Sequence, residues 1–491
     1  MATTLETVQE ARPLGPIQSY FKELRENVRY RSLWEEVNGC LGDLGTFVPI
    51  VIALTLVNGL DLGTTLIFTG ICNIVTGLMF GTPLPVQPMK SIAAAAITPG
   101  DILTIPQIMA AGISTGALLV GLGATGLMTL VNFLVPLPVV RGIQLSQGLA
   151  FGITAVKYIL NEQKFSTGKT GGARPWLGLD SKLLAICALA FIILVSGSGE
   201  YTVHAFPKDS IESSNEGNNP NEERGSKRSW SRKLLLIPTA LSVFVLGVVL
   251  AFIRQPSIVK HLNFGPSTPQ VVRITASDWK TGFVRGTIPQ LPLSVLNSVI
   301  AVCKLSNDLF PTKLQVTPVK VSVSVGLMNV IGCWFGAMPA CHGCGGLAGQ
   351  YRFGARSGAS VVFLGTAKLL LSLLLGSSLV QILRFFPVAL LGVLLLFSGL
   401  ELAMTCRDQS TRTEVFILLS VTAVSLTNSN AALGFGAGMC IVVLLKMRER
   451  ETWVKLRNLL PCLKNRNPTP EPFPSETDDK TGISGPHSHI V

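Results

Sequence analysis

Asn73-Ile-Val-Thr-Gly-Leu-Met-Phe-Gly-Thr-Pro83 has a counterpart 256 residues later, Asn329-Val-Ile-Gly-Cys-Trp-Phe-Gly-Ala-Met-Pro339. In both, the asparagine stands ten residues before the proline. An interrupted apolar run follows each: Leu84-Pro-Val-Gln-Pro-Met-Lys-Ser-Ile-Ala-Ala-Ala-Ala96 and Ala340-Cys-His-Gly-Cys-Gly-Gly-Leu-Ala-Gly-Gln350. A helix crossing the ~30 Å hydrocarbon core needs ~20 residues. The apolar stretches at 88–98 and 340–350 are too short for that.

Working outward, each short stretch is third in a series of seven. The first series runs at about 44–60, 63–81, 88–98, 107–134, 140–160, 182–198 and 234–253. The second runs at about 287–305, 318–336, 340–350, 358–376, 384–404, 413–427 and 430–446. A weaker echo pairs Ser146-Gln-Gly-Leu149 with Phe397-Ser-Gly-Leu400. Seven is odd, so the second copy sits upside down in the bilayer. This is the inverted-repeat plan in which paired broken helices mark a binding site near the midplane.

Composition agrees. Of 491 residues, 48% are hydrophobic and 14% charged, where soluble domains carry about 25% charged residues. That excludes a disordered chain and a lone soluble domain. The net charge of +12 reads as cytoplasmic loops, not as a nucleic-acid surface. The cysteines show no compact disulfide spacing. Glu6 and Glu10 precede any apolar run, so the first membrane segment is expected to direct insertion itself. The expected fold is an all-α multi-pass membrane protein of fourteen segments in two inverted repeats with two half-helices.

The expected organisation is a cytoplasmic segment at 1–38, a first repeat at 39–253 with a disordered loop at 199–233, a second repeat at 254–446, and a cytoplasmic tail at 447–491. Arg352, Arg356, Arg407, Arg412 and the 446–466 cluster place both termini in the cytoplasm by the positive-inside rule. The basic loops at 161–181 and 254–286 fit that orientation poorly.

The chemistry is expected at the short segments. Three prolines enforce an extended approach to Met89, because each fixes φ and lacks an N–H. A helix then starts, and its amino end offers free N–H groups and a partial positive charge. Lys90 adds a full charge, and Gln87 and Ser91 add hydrogen-bonding groups. In the second repeat His342 precedes a helix start, and Gly343, Gly345 and Gly346 permit close backbone approach. Two such ends facing each other suit a small oxyanion. Charge at membrane depth is costly, so Lys90 is read as functional; its competing reading is a structural pair with Asp43 or Glu401. His342 divides between a structural hydrogen bond and a substrate or proton role. Cys341, His342 and Cys344 lack zinc-site spacing, so no metal site is expected. Lys304, Asp308 and Lys368 read as loop-edge or snorkelling charges. Arg141 reads as a lipid-interface anchor, although its place at the start of a repeated segment leaves a second role open. Gly121, Gly123 and Gly126 read as packing glycines.

At these residues the sequence resembles the plant and algal molybdate transporters, a branch related to the sulfate permease superfamily. The resemblance rests on Gly42-Asp-Leu-Gly-Thr-Phe-Val-Pro49, Leu84–Ala94, Arg141-Gly-Ile-Gln-Leu-Ser-Gln-Gly-Leu-Ala-Phe151, Pro289-Gln-Leu-Pro-Leu-Ser-Val-Leu-Asn-Ser298 and Phe335–Gly358. It spans about 30 to 446 apart from the 199–233 loop. Cys344 stands where the family pattern has alanine. About 45 residues follow the last segment, too few for the STAS domain that ends sulfate permeases.

The resemblance implies a transporter, not an enzyme, that moves molybdate for molybdenum-cofactor supply. A core of segments 1–4 and 8–11 would move against a gate of segments 5–7 and 12–14. Molybdate would bind between the two half-helices through Lys90, Gln87, Ser91, His342 and the Gly343–Gly346 backbone. Thr46 and Asn297 or Ser298 would line the cavity. Asp43, Glu401 and His342 are the candidate proton carriers. No cofactor and no nucleic acid are called for; the partners are molybdate, the lipid bilayer, protons and a second copy in a homodimer. The membrane is the plasma or the vacuolar membrane. The rival readings are a sulfate transporter of the same fold, an intramembrane enzyme using His342 and Asp43, and a non-transporting anion receptor.

Overall fold

The computed structural model describes residues 16–97, 102–164, 169–197, 237–427 and 431–448. The 199–233 loop and the tail beyond 448 lie outside them. Residues through Met439 form one compact unit, and a second begins at Cys440 within the last helix.

Two short helices, α1 (Pro16–Asn27) and α2 (Leu33–Cys40), lead through a 3-10 turn into α3 (Leu44–Asn58) and α4 (Leu62–Phe80). Strand β1 (Val86–Pro88) and α5 (Lys90–Ala96) form the third segment. Then come α6 (Ile105–Ala124), α7 (Leu127–Leu134), α8 (Leu137–Leu160), the hairpin β2 (Asn161–Lys164) and β3 (Lys169–Ala173), and α9 (Lys182–Ser196). Helix α10 (Thr239–Arg254) completes the first seven.

The second repeat opens with α11 (Ala276–Leu309). It continues through α12 (Pro318–Gly332), strand β4 (Ala340–His342), α13 (Cys344–Arg352), α14 (Ala359–Leu375), α15 (Leu379–Phe385), α16 (Val388–Ala403), α17 (Arg412–Thr427) and α18 (Ala431–Arg448). Eight described helices are long and apolar enough to cross a membrane, and α9 and α10 are shorter apolar helices.

Three boundaries differ from the expected ones. The fourth segment is not one run: Gly126 adopts φ +73° and ends it, and α7 meets α8 at 90°. The eighth segment starts eleven residues earlier than 287, because Thr275 and Asp278 form a reciprocal cap at its amino end. It accommodates Pro289 and Pro292 beside two stretches of π-helix, which re-route the bonds that proline removes. Of the glycines at 121, 123 and 126, Gly123 alone packs closely, against Val323, while Gly121 faces open space.

The repeated asparagines explain the repeat. Asn73 Oδ1 accepts the Val86 amide at 2.8 Å, and Asn329 Oδ1 accepts the Ala340 amide at 2.8 Å. Each buried carboxamide therefore holds the strand that follows its helix. Asn329 also donates to the carbonyls of Ala340 and Val325, at 2.6 and 2.7 Å. Gly81 and Gly336, at φ +65° and +79°, end the two preceding helices. The two strands then pair antiparallel, Val86 opposite His342 and Gln87 opposite Cys341. Asn329→Ala would strand the Ala340 amide and carbonyl without partners. It is expected to cost ~3 kcal/mol, read as a lower unfolding temperature of the detergent-solubilised protein.

Helix pairing divides the unit into two bodies. Helices α4 and α14 pack together, as do α6 and α12; α8 packs on α16 and α17. The first two pairs join segments 2 with 11 and 4 with 9, the core; the third joins segments 5, 12 and 13, the gate. The echoed Gly148 and Gly399 face each other where α8 crosses α16: a Cβ on either would lie within 2.7 Å of the other's carbonyl oxygen.

Candidate functional site

The sequence brings Asp43, Thr46 and Gln87 together first. The 3-10 turn at Leu41–Asp43 and the start of α3 set Asp43 one turn before Thr46. The Thr46 hydroxyl lies 2.6 Å from Asp43 Oδ1 and 2.9 Å from the Asp43 carbonyl. Gln87 Nε2 donates to Asp43 Oδ1, and to Thr46 Oγ1 at 2.6 Å. Asp43 is 1% exposed, and its Oδ2 has no hydrogen-bond partner among the described residues.

Glycine makes this packing feasible. A Cβ at Gly343 would lie 1.6 Å from Gln87 Oε1, and one at Gly346 would lie 2.4 Å from Gln87 Nε2 and 2.7 Å from Asp43 Oδ1. A Cβ at Gly345 would strike the Phe151 ring at 1.8 Å. The three glycines thus admit side chains of the first repeat and of the gate.

Lys90 opens α5, with Met89 in extended conformation before it. Its Nζ lies 3.9 Å above the Phe151 ring and 3.4 Å from Gln147 Oε1, both on α8. The lysine therefore spans the seam between core and gate. Among the described residues no ion pair within 4 Å joins it to Asp43 or Glu401. A cavity of about 320 Å³ lies along this seam. Gly45, Thr46, Pro49 and Ala53 of α3 and Lys90, Ala93 and Ile97 line it from the core. Phe151, Thr154 and Tyr158 of α8, Gln163 and Lys164 of β2, and Leu395 of α16 line it from the gate.

The other expected site residues are placed as follows. His342 is fully buried, with Nε2 3.3 Å from Ser324 Oγ, Nδ1 3.4 Å from the Pro85 carbonyl, and its ring edge-on to Phe80. Strand alternation explains this: side chains at neighbouring strand positions point to opposite faces, so Cys341 shares the face of Gln87 and His342 the other. It is not among the residues lining the cavity. The Ser91 amide is taken by Gln290 Oε1 of α11 at 2.9 Å. Asn297 accepts the Cys344 thiol on its carbonyl at 3.0 Å, and its buried Oδ1 has no protein partner. Ser298 is buried, 1% exposed. Glu401 has Arg352, Arg356 and Arg407 as charged neighbours.

Two charges require correction. Lys368 is not a snorkelling residue: it lies in the middle of α14, 5% exposed, with Nζ 3.7 Å above the Phe47 ring and 3.5 Å from the Val86 carbonyl. Arg141 is not lipid-facing: it is 3% exposed and paired with Asp308 and Asp408, so Asp308 is not simply a loop-edge charge. Lys304 remains at a helix edge, paired with Asp308 at 2.7 Å. Gln147 and Phe151 are seam residues that the sequence reading did not single out, although Gln147 stands in the echoed stretch Ser146–Leu149 and Phe151 follows it by two residues.

A half-buried lysine at the seam between core and gate suits an anion, and similarity places it. The chain is 57% identical over 432 residues to Molybdate transporter 1 of Arabidopsis thaliana, covering 87% of this chain and 91% of that relative. The chain belongs to the molybdate transporter family. Molybdate transporter 2 of the same plant is 56% identical over 427 residues, covering 87% and 90%. Molybdate transporter 1 of Chlamydomonas reinhardtii is 37% identical, covering 86% and 94%. A family profile described as "Molybdate transporter of MFS superfamily" matches residues 35–151 and 282–402.

The fold resembles SLC26A9 at a TM-score of 0.54 and 15% identity, over 88% of this chain and 67% of that one. It also resembles the transmembrane domain of a cyanobacterial bicarbonate transporter, BicA, at 0.50 and 14% identity, over 83% and 99%. The MFS label implies two six-span halves. Fourteen segments with two paired half-helices follow the other plan, that of the solved structures whose fold this chain shares. Like its family, the chain is a multi-pass membrane protein.

Proposed function

We propose that this chain is a secondary transporter that carries molybdate by alternating access, binding the oxyanion at the core–gate seam beside Lys90. The observation that carries this reading is the Lys90 ammonium, which lines the seam cavity and, among the described residues, has no carboxylate within 4 Å. Thr46 and Gln87 supply polar groups on the core side, and Gln147 on the gate side. The Cys344–Gly346 amides, in the first turn of α13, and the Asn297 carboxamide complete the donor set. His342 acts as a strut, its ring nitrogens facing Ser324 Oγ and the Pro85 carbonyl, and the Ser91 backbone amide is held by Gln290. The repeats at 39–253 and 254–446 each contribute segments to both bodies, and the segments before and after them face the cytoplasm.

Asp43 is the proton-coupling group in this reading. A bound dianion and an ionised carboxylate in one dry site repel each other, and Lys368 balances the carboxylate when the anion leaves. The chain transports rather than catalyses, and needs no cofactor. With both termini cytoplasmic, the cavity at Tyr158, Gln163 and Lys164 opens outward.

The test is uptake by a molybdate-uptake-deficient cell, with sulfate as competitor. Molybdate uptake that a tenfold excess of sulfate leaves above half its value is expected. Sulfate uptake displacing molybdate at equal concentration would make this a sulfate carrier of the same fold. Substrate conversion without net flux into proteoliposomes would replace transport with catalysis.

A further inference from the structure

The end of the seam opposite the cavity is closed by a charge cluster that joins the two bodies. Arg141, in the second turn of α8, belongs to the gate. Its Nη2 donates to Asp308 Oδ2 of α11 at 2.7 Å and to Asp408 Oδ2, beyond α16, at 2.5 Å. Its Nε donates to both Asp408 oxygens at 3.0 Å. Nη1 donates to Gln144 Oε1 at 2.8 Å, and Gln144 Nε2 reaches across to the Ala301 carbonyl of α11 at 3.0 Å. The Thr405 hydroxyl donates to the same Gln144 oxygen at 3.2 Å.

The charges divide by body. Asp308 and Lys304, 2.7 Å apart, both belong to the core. Arg141 and Asp408 both belong to the gate. If the bodies part here, each keeps one cation paired with one anion. Only the Arg141 guanidinium is buried, at 3% exposure, while Asp308 and Asp408 are 28% and 39% exposed; leaving a buried charge uncompensated is what makes breaking such a pair costly, and this cluster separates with Arg141 still paired. What is lost is the Arg141–Asp308 contact and the Gln144–Ala301 bond. Those are the contacts expected of a connection made and broken once per cycle.

We infer that Arg141 is a positioning residue for transport: it latches the cytoplasmic end of the seam through Asp308, and release of that contact lets the site open inward. This rests on the transport reading and on the cytoplasmic placement of the termini. It assigns unequal roles to two carboxylates that bind the same guanidinium. Asp308 is the releasable partner. Asp408 stays with Arg141 and keeps it charged and oriented.

The test uses Thr154→Cys, at the cavity wall, as a reporter labelled by a membrane-impermeant thiol reagent from outside, with the unsubstituted chain as background. Asp308→Asn should shift the population inward and lower the labelling rate at least fivefold. The apparent KM for molybdate uptake from outside should rise in proportion, because the competent fraction divides the affinity. Asp408→Asn, which leaves the cross-body contact in place, should change labelling less than twofold. Arg141→Lys cannot span both carboxylates with a fork and should fall between them.

Labelling at the unsubstituted rate in Asp308→Asn, at normal membrane abundance, would overturn the latch. So would an equal effect of Asp408→Asn. Should Asp308→Asn fail to accumulate, Arg141→Lys decides by the same readout. Labelling needs no molybdate, so failure of the latch is told apart from failure of the substrate assignment.

Discussion

Lys90→Ala is expected to reduce molybdate uptake at limiting substrate by ~30- to 700-fold while leaving membrane abundance unchanged. The magnitude follows from removing one member of a desolvated charged contact, which costs ~2–4 kcal/mol, at ~1.4 kcal/mol per factor of ten. The sign follows from position. Lys90 is the cation at the cavity wall from the core side, and its neighbours there are a ring and a carboxamide. Neither needs the ammonium for its own satisfaction, so the folded protein loses little. Lys90→Arg keeps the charge on a larger, planar head and should retain part of the uptake with a raised KM. Uptake of Lys90→Ala at the unsubstituted rate, at limiting molybdate, would remove the lysine from the site.

Much of this arrangement was legible in the sequence because its causes are local. Asn73 and Asn329 could be matched by eye, and their shared job is a contact with a strand only 13 or 11 residues away. Prolines before Met89 foretold an extended approach for the same reason: proline acts on its own backbone. The residues misread are those whose roles depend on contacts hundreds of positions distant. Lys368 looked like an edge charge because an apolar helix of that length gives no sign of which flank meets Phe47. Arg141 and Asp308 are 167 positions apart, and nothing in either local stretch specifies the other.

His342 illustrates a different limit. Its residue type and neighbours favoured a substrate role, but the antiparallel register with Val86 turned it to the face away from Gln87. A shift of one residue in that pairing would put His342 on the face of Gln87. The sequence contains the strand, but not the register. The seam was hidden for a related reason: the core residues were recognised as a set, whereas Phe151 and Gln147 contribute only because α8 presents that stripe to the core.

Gly345→Ala is expected to abolish most transport, by tenfold or more, in a protein that still folds and inserts. The added methyl would lie 1.8 Å from Phe151 Cε2 and 2.7 Å from Cζ, so the ring must move by more than ~1 Å to restore ordinary contact distances. Overpacking of this kind typically costs ~1–3 kcal/mol. Where that cost falls decides the phenotype. Gly345 is in the core and Phe151 in the gate, so the clash does not strain the interior of either body. It acts on the arrangement in which they face each other, and it displaces the ring over which Lys90 lies. The unfolding temperature should therefore change little while the rate collapses.

A double-mutant cycle separates this from a general folding defect. Phe151→Leu alone should weaken uptake by removing the ring face beneath the ammonium. Combined with Gly345→Ala, it should recover several-fold over Gly345→Ala alone, because the smaller side chain makes room for the methyl; contacting residues usually couple by ~0.5–3 kcal/mol. Strictly multiplicative losses would mean that the two residues do not meet during transport. Recovery would place the close approach of helix α13 to the gate on the transport path, and would show that the glycine serves a moving contact and not a static one.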